Sequence, residues 1–196
     1  PELNQRLDAI LADMRAADVG GALCICTSME EFESVHALAL AHANLWASVG
    51  VHPDTEGMTE PDVETLCDWA SRSRVIAIGE TGLDYFRLEG RSIADMEWQR
   101  ERFRVHIRAA RLAGKPLIVH TRAAAADTLA IMREEGARQV GGVRHCFTEP
   151  WAVARADSAL GFCLAVSCSV SCNSAPRSPQ LATRPSLPRR FAQPLP

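Results

Sequence analysis

The sequence predicts an α/β fold built on a parallel sheet with helical crossovers. Two observations predict it. Short apolar, β-branched runs alternate with helical stretches along the readable chain, the pattern that threads parallel strands through crossover helices. Glu80, His120 and His145 then fall at the C-terminal ends of successive predicted strands. Both closed barrels and open doubly wound sheets build their sites at that rim, so position alone leaves barrel and open sheet as alternatives.

Each element has a local reason. Leu3, Leu7, Ile10, Leu11 and Met14 recur at helical spacing over residues 1–17, and Gly20 and Gly21 stop that helix. Residues 22–26 read as a short strand. Thr27 and Ser28 cap a helix running to about residue 43, with Glu30 and Glu31 near its positive end. Residues 45–51 form the next strand, which leaves through Gly50-Val51-His52-Pro53, and a helix over residues 60–71 follows. Val75-Ile76-Ala77-Ile78 reads as a buried strand. Gly79 and Gly82 bracket Glu80 and predict a turn there. A long helix over residues 93–113 buries Phe103, Ile107 and Ala110 on one face, with Arg100, Arg104, Arg108 and Arg111 mostly off it, and Gly114 ends it. Residues 116–120 form a strand, residues 123–135 a helix closed by Gly136, and residues 142–147 a strand and its exit. A short helix over residues 151–157 and a strand over residues 160–166 complete the alternation.

Composition bounds the function classes. The 196 residues are 47% hydrophobic, enough for one domain with a sizeable core, and the net charge of −3 provides no general basic field for nucleic acid. No apolar stretch approaches the length of a membrane span, and the first residues lack the basic start and apolar core of a secretory signal. Seven cysteines, without metal-finger spacing, read as reduced thiols packed as small hydrophobes. A cytoplasmic location and no obligate protein partner are the resulting expectations.

A charge at the end of a buried strand requires a cation, a hydrogen-bond shell or water, because burying an unpaired carboxylate is costly. Taken singly, Glu80, His120 and His145 each also fit a structural role. Their coincidence at three consecutive strand ends argues for a metal site with those three as ligands. A carboxylate suits hard cations and neutral imidazoles favour Zn, Mn or Fe-type ions, so the mix points to a divalent metal.

Four motifs give this reading a family. Val49-Gly50-Val51-His52-Pro53, Ala77-Ile78-Gly79-Glu80-Thr81-Gly82-Leu83-Asp84-Tyr85, Pro116-Leu117-Ile118-Val119-His120-Thr121-Arg122 and His145-Cys146-Phe147-Thr148 occur in this order with helical spacers. Together they resemble the TatD-like metal-dependent hydrolases, usually described as deoxyribonucleases. The resemblance covers residues 1–165. It implies a TIM-type (β/α) barrel with one or two divalent ions (Mg, Mn or Zn) and DNA as substrate, cleaved at phosphodiester bonds by metal-activated water. It further implies Glu80 as the catalytic carboxylate ligand, His120 and His145 as histidine ligands, and His52 as a substrate or supporting contact. Arg122 is placed to meet a phosphate through its forked donors. Asp84 and Tyr85 read as shaping the turn.

The departures are as specific as the matches. The family begins with a strand carrying His-x-His and ends with an acidic motif, and neither is found in this sequence. The expectation is therefore an incomplete barrel with weak or no activity. All 24 acidic residues lie within residues 1–157, and six of the eleven prolines follow Asn173. Residues 166–196 form an irregular Pro/Arg/Ser-rich tail, for which a disordered linker and a changed reading frame near residues 163–167 are the two readings. Two other functions stay open: an amidohydrolase-like hydrolase of another substrate, and a non-catalytic fragment.

Overall fold

The structure is a computed structural model, and it describes residues 6–86 and 88–166. Strands β1 (Ala22–Cys24), β2 (Leu45–Val49), β3 (Val75–Asp84), β4 (Leu117–Arg122), β5 (Gly142–Arg144) and β6 (Phe162–Leu164) alternate with helices. The helices are α1 (Leu7–Ala16), α2 (Phe32–Ala41), α3 (Val63–Ser71), α4 (Glu97–Ala113), α5 (Ala125–Glu134) and α6 (Trp151–Ala159). Short 3-10 turns cover Ile93–Met96 and Ala137–Gln139.

All strand pairs are parallel, and the order across the sheet is the order in the chain. A doubly wound sheet reverses its strand order at a switch point. Among the described residues this one never does, which decides between the two sequence-based alternatives in favour of an arc of a barrel, a curled half-barrel with helices. The curvature is visible at the site. A flat sheet would hold β1 and β3 about 10 Å apart, yet the Glu80 N–H donates to the Cys26 carbonyl, just past β1, at 3.1 Å.

The core lies between the sheet and the helices. Val49, Ile78, Leu83, Leu117 and Val119 of the strands pack with Phe32, Leu66, Phe103, Ile107 and Met132 of the helices. Helix α4 follows its amphipathic pattern. It buries Phe103, Ile107 and Ala110, while Arg100, Arg104 and Arg108 form ion pairs with Glu97, Glu101, Glu134 and Glu135. Gly114 ends it in the left-handed conformation at φ 63°.

Helix α2 begins at Phe32 with Glu31 as its N-cap, past the expected Thr27 and Ser28, and three further differences from expectation bear on the site. The predicted turn after Ile78 is absent, and β3 continues through Gly79, Glu80 and Gly82 to Asp84. The glycines serve close strand approach instead. A Cβ at Gly79 would lie 2.5 Å from the Ile118 carbonyl oxygen, and one at Gly82 would overlap the His120 carbonyl oxygen. The pairing of β3 with β4 shifts register between Ile78 and Thr81, which re-aims Glu80. Residues 93–96 form a 3-10 turn closed by a Ser92–Asp95 capping box, and α4 begins only afterwards. Strand β5 ends at Arg144, leaving His145 and Cys146 in the loop beyond. The tail over residues 167–196 lies outside the described residues.

Candidate metal centre

Three segments at the C-terminal side of the sheet bring the site together. Glu80 comes from the bulged part of β3, His120 from β4, and His52 from the loop after β2. His120 Nδ1 stands 3.4 Å from Glu80 Oε1, and His52 Nε2 stands 4.0 Å from the same oxygen. The two imidazoles meet edge to face, with ring centroids 4.4 Å apart. One donor atom from each of the three residues lies within 4.8 Å of the others.

The hydrogen-bond partners fix which nitrogens are free. His120 Nε2 donates to Asp84 Oδ2 at 3.0 Å, and His52 Nδ1 pairs with the Asp54 carboxylate. Each histidine is thereby bonded through one nitrogen to an outer carboxylate, and its other nitrogen faces Glu80. Two imidazole nitrogens and a buried carboxylate directed at one point call for positive charge there, carried by a ring proton or by a bound cation. A divalent cation fits that donor set. Glu80 is 8% exposed. Burial opposes its ionisation, but the hydrogen bond from His120 and the charges of the His52, His145 and His120 rings outweigh burial and hold its carboxyl below the usual range. For His120 burial favours the neutral ring, and the Glu80 and Asp84 carboxylates overcome it, raising its pKa.

A supporting layer holds these groups from behind. Buried Gln99 accepts the Asp84 N–H through Oε1 at 2.9 Å, and Asp84 Oδ1 accepts the Phe86 N–H at 2.9 Å. Arg102, nearly fully buried on α4, donates to the carbonyls of His52 at 2.9 Å and Thr55 at 2.8 Å and pairs with Glu60. His106 Nδ1 donates to the Arg102 carbonyl at 2.7 Å, and its Nε2 accepts the Val51 N–H at 3.0 Å. Complete burial pushes the His106 pKa down to about 4, so the ring is a neutral prop beside His52.

The family model described as TatD related DNase matches residues 1–190. This chain belongs to that family. An uncharacterized metal-dependent hydrolase, YcfH of Escherichia coli K12, is 40% identical over 166 residues, covering 84% of this chain and 60% of the relative. A protein named 3'-5' ssDNA/RNA exonuclease TatD, from Enterobacter lignolyticus, is 33% identical over 76% of this chain and 56% of its own length. The crystal structure of the TatD homolog YjjV from Escherichia coli superposes with a TM-score of 0.74 at 26% identity, covering 84% of this chain and 62% of that one. The chain thus spans about three-fifths of the length of the relatives it matches.

Within this TatD-family chain the sequence-predicted site residues separate. Glu80 and His120 are together, and His52 completes the described cluster with them. His145 is exposed beyond β5, with Nε2 3.2 Å from Cys146 Sγ. It is near enough to act on the Glu80 carboxylate through its charge. Arg122 lies at the end of β4, on the wall of a cleft lined also by Asp54, Glu56, Asp84 and Gln99. Asp84, expected to shape a turn, does so by accepting the Phe86 N–H two residues on, and its other oxygen is also the hydrogen-bond partner of His120. Sequence reasoning also passed over Gln99, Arg102 and His106. Their signal was available: three polar residues at helical spacing beside the apolar stripe Phe103, Ile107 and Ala110.

Proposed function

We propose that Glu80, His120 and His52 hold a divalent cation, with His145 as a further ligand from the end of β5. We further propose that the protein hydrolyses phosphodiester bonds of DNA. The observation that carries the reading is the convergence of two imidazole nitrogens on a buried carboxylate at the strand-end rim of a TatD-family fold. A bound divalent ion supplies Lewis acidity, lowering the pKa of water and polarising the phosphoryl oxygen.

The chain's own groups prepare that chemistry. Asp84 and Asp54 fix the orientation of the two imidazoles and keep their free nitrogens directed inward. Glu80 is ionised at neutral pH without titration. Arg122 is positioned at the cleft to pair with a substrate phosphate. Among the described residues Cys24, Cys26, Cys67, Cys146 and Cys163 form no disulfide, which supports a cytoplasmic location. No described helix is long and apolar enough to cross a membrane.

The test is nucleotide release from labelled single-stranded DNA in Mg²⁺, Mn²⁺ or Zn²⁺, beside carboxylic ester and amide substrates. Release from DNA above the metal-free rate, lost in Glu80→Ala, is expected. Hydrolysis of the esters or amides with DNA untouched would overturn the substrate assignment.

A further inference from the structure

Phe86 is 58% exposed beside Arg122 of the cleft wall, although a phenylalanine normally gains by burial. It is not a loose surface residue. Its N–H is held by Asp84 Oδ1, and the other oxygen of the same carboxylate holds His120. The ring is thereby tied to the candidate metal centre through one side chain. The Arg122 guanidinium lies over the ring, with Cζ 3.6 Å from its centroid. Stacking orients the guanidinium plane and leaves its N–H donors directed outward.

Charge pairing around the cleft isolates Arg122. Asp54 is paired with His52, Glu56 with Arg91 at 2.8 Å, and Asp84 with His120. Among the described residues the Arg122 side chain has no hydrogen bond and no ion pair, while its carbonyl accepts the Tyr85 N–H. The cleft therefore presents a guanidinium with unpaired side-chain donors lying against an exposed aromatic ring. A cation alone recognises an anion. A cation joined to a half-free aromatic face recognises an anion bearing a flat ring, which is the chemistry of a nucleotide.

We propose that Phe86 and Arg122 form a nucleotide-binding platform. Arg122 takes a backbone phosphate, and Phe86 stacks on an unpaired base of a single-stranded end. This deepens the nuclease reading and rests on it. A base inside a duplex has both faces covered and cannot stack on Phe86 without unpairing, so the platform selects single strands or frayed ends. Stacking is indifferent to base identity and to the sugar, so the platform accepts DNA and RNA with little sequence preference. Phe86 is a substrate-binding residue here and not part of the metal centre.

The test is fluorescence anisotropy with a phosphorothioate-protected oligothymidylate in Mn²⁺, which reads binding without turnover. The same oligonucleotide with abasic terminal sugars and a blunt duplex are the comparison probes. The wild-type protein should bind the abasic strand and the duplex about tenfold or more weakly than the intact strand. Phe86→Ala and Phe86→Leu should erase the discrimination against the abasic strand, and Phe86→Trp should retain it. Arg122→Gln should weaken intact and abasic strands alike. Equal wild-type affinity for intact and abasic strands, or discrimination unchanged in Phe86→Ala, overturns the platform while leaving a nuclease intact. A protein that takes up Mn²⁺ and hydrolyses another ester but binds none of these probes overturns the nuclease reading itself.

Discussion

Two of the places where the molecule buries ionisable groups treat them in opposite ways. At the rim, Glu80 faces His120 and His52, each held by its own carboxylate from behind. In the layer between sheet and helices, Arg144 of β5 faces Asp157 of α6 at 3.4 Å, with 1% and 0% exposure. The second pair is neutral in sum. Both Asp157 oxygens and Arg144 Nη2 lack a hydrogen-bond partner among the described residues. Burial pushes the Asp157 pKa up and the Arg144 pKa down, as expected for a pair whose mutual attraction incompletely offsets desolvation. The rim cluster instead has well-bonded outer atoms and an inner point where donors meet. A fold needs only compensation, as at Arg144 and Asp157. Donors directed inward and braced from outside indicate a guest of opposite charge.

The largest expected effect comes from breaking the structural pair. Asp157→Ala strands a buried guanidinium and should destabilise the protein by about 3–5 kcal/mol in urea melts. Arg144→Met combined with Asp157→Leu should recover most of that loss. Glu80→Gln tested without metal should stay within about 1 kcal/mol of wild type, because the amide oxygen can still accept from His120 and the facing imidazoles are partly open to water. A Glu80→Gln loss as large as that of Asp157→Ala would erase the distinction between the two regions.

Next in size is the pH dependence from His106. Its folded pKa of about 4 lies below the ordinary unfolded value, so the unfolded chain binds more protons in between. Stability from this residue is fully present above about pH 6.5 and falls as pH drops toward 4, by about 3 kcal/mol. His106→Gln should flatten that part of the acid stability profile, read by urea melts at several pH values.

Metal addition sharpens the comparison from the other side. Mn²⁺ or Zn²⁺ at a hundredfold excess over Kd should stabilise the wild-type protein by about 2.7 kcal/mol. Glu80→Gln should show no such gain in thermal melts. Removing the brace behind a ligand should cost least. Asp84→Asn keeps the shape but weakens the grip on His120 Nε2–H, and should lower metal affinity about 10–100-fold by calorimetric titration.

The sequence made one region readable and concealed the other. Alternating strands and helices predicted the parallel sheet, and Glu80 and His120 stood out because a charge and an imidazole ended apolar runs. Chain order within the sheet was not legible, since periodicity says nothing of which strand neighbours which. Gly79 and Gly82 read as a turn, because glycine's tolerance of a tight bend and its tolerance of a close neighbour look the same in one dimension. His52 was underrated for a similar reason. It follows its strand by three residues, and only the curl of the sheet swings that loop over Glu80. The Arg144–Asp157 pair left no local trace, as its partners lie on a strand and a helix with ordinary neighbours. Asp84 sat inside a quoted motif, yet its role depends on the rotation of β3 past the bulge.

The most direct measurement is metal stoichiometry. The purified protein is incubated with Mn²⁺ or Zn²⁺, passed through a desalting column, and assayed for retained metal beside Glu80→Gln, His120→Ala and His52→Ala. The expected result is one or two ions per chain in the wild type, with strong loss in all three variants. A folded wild-type protein that retains no metal, or folded variants that retain as much as the wild type, would contradict a metal centre built on Glu80, His120 and His52.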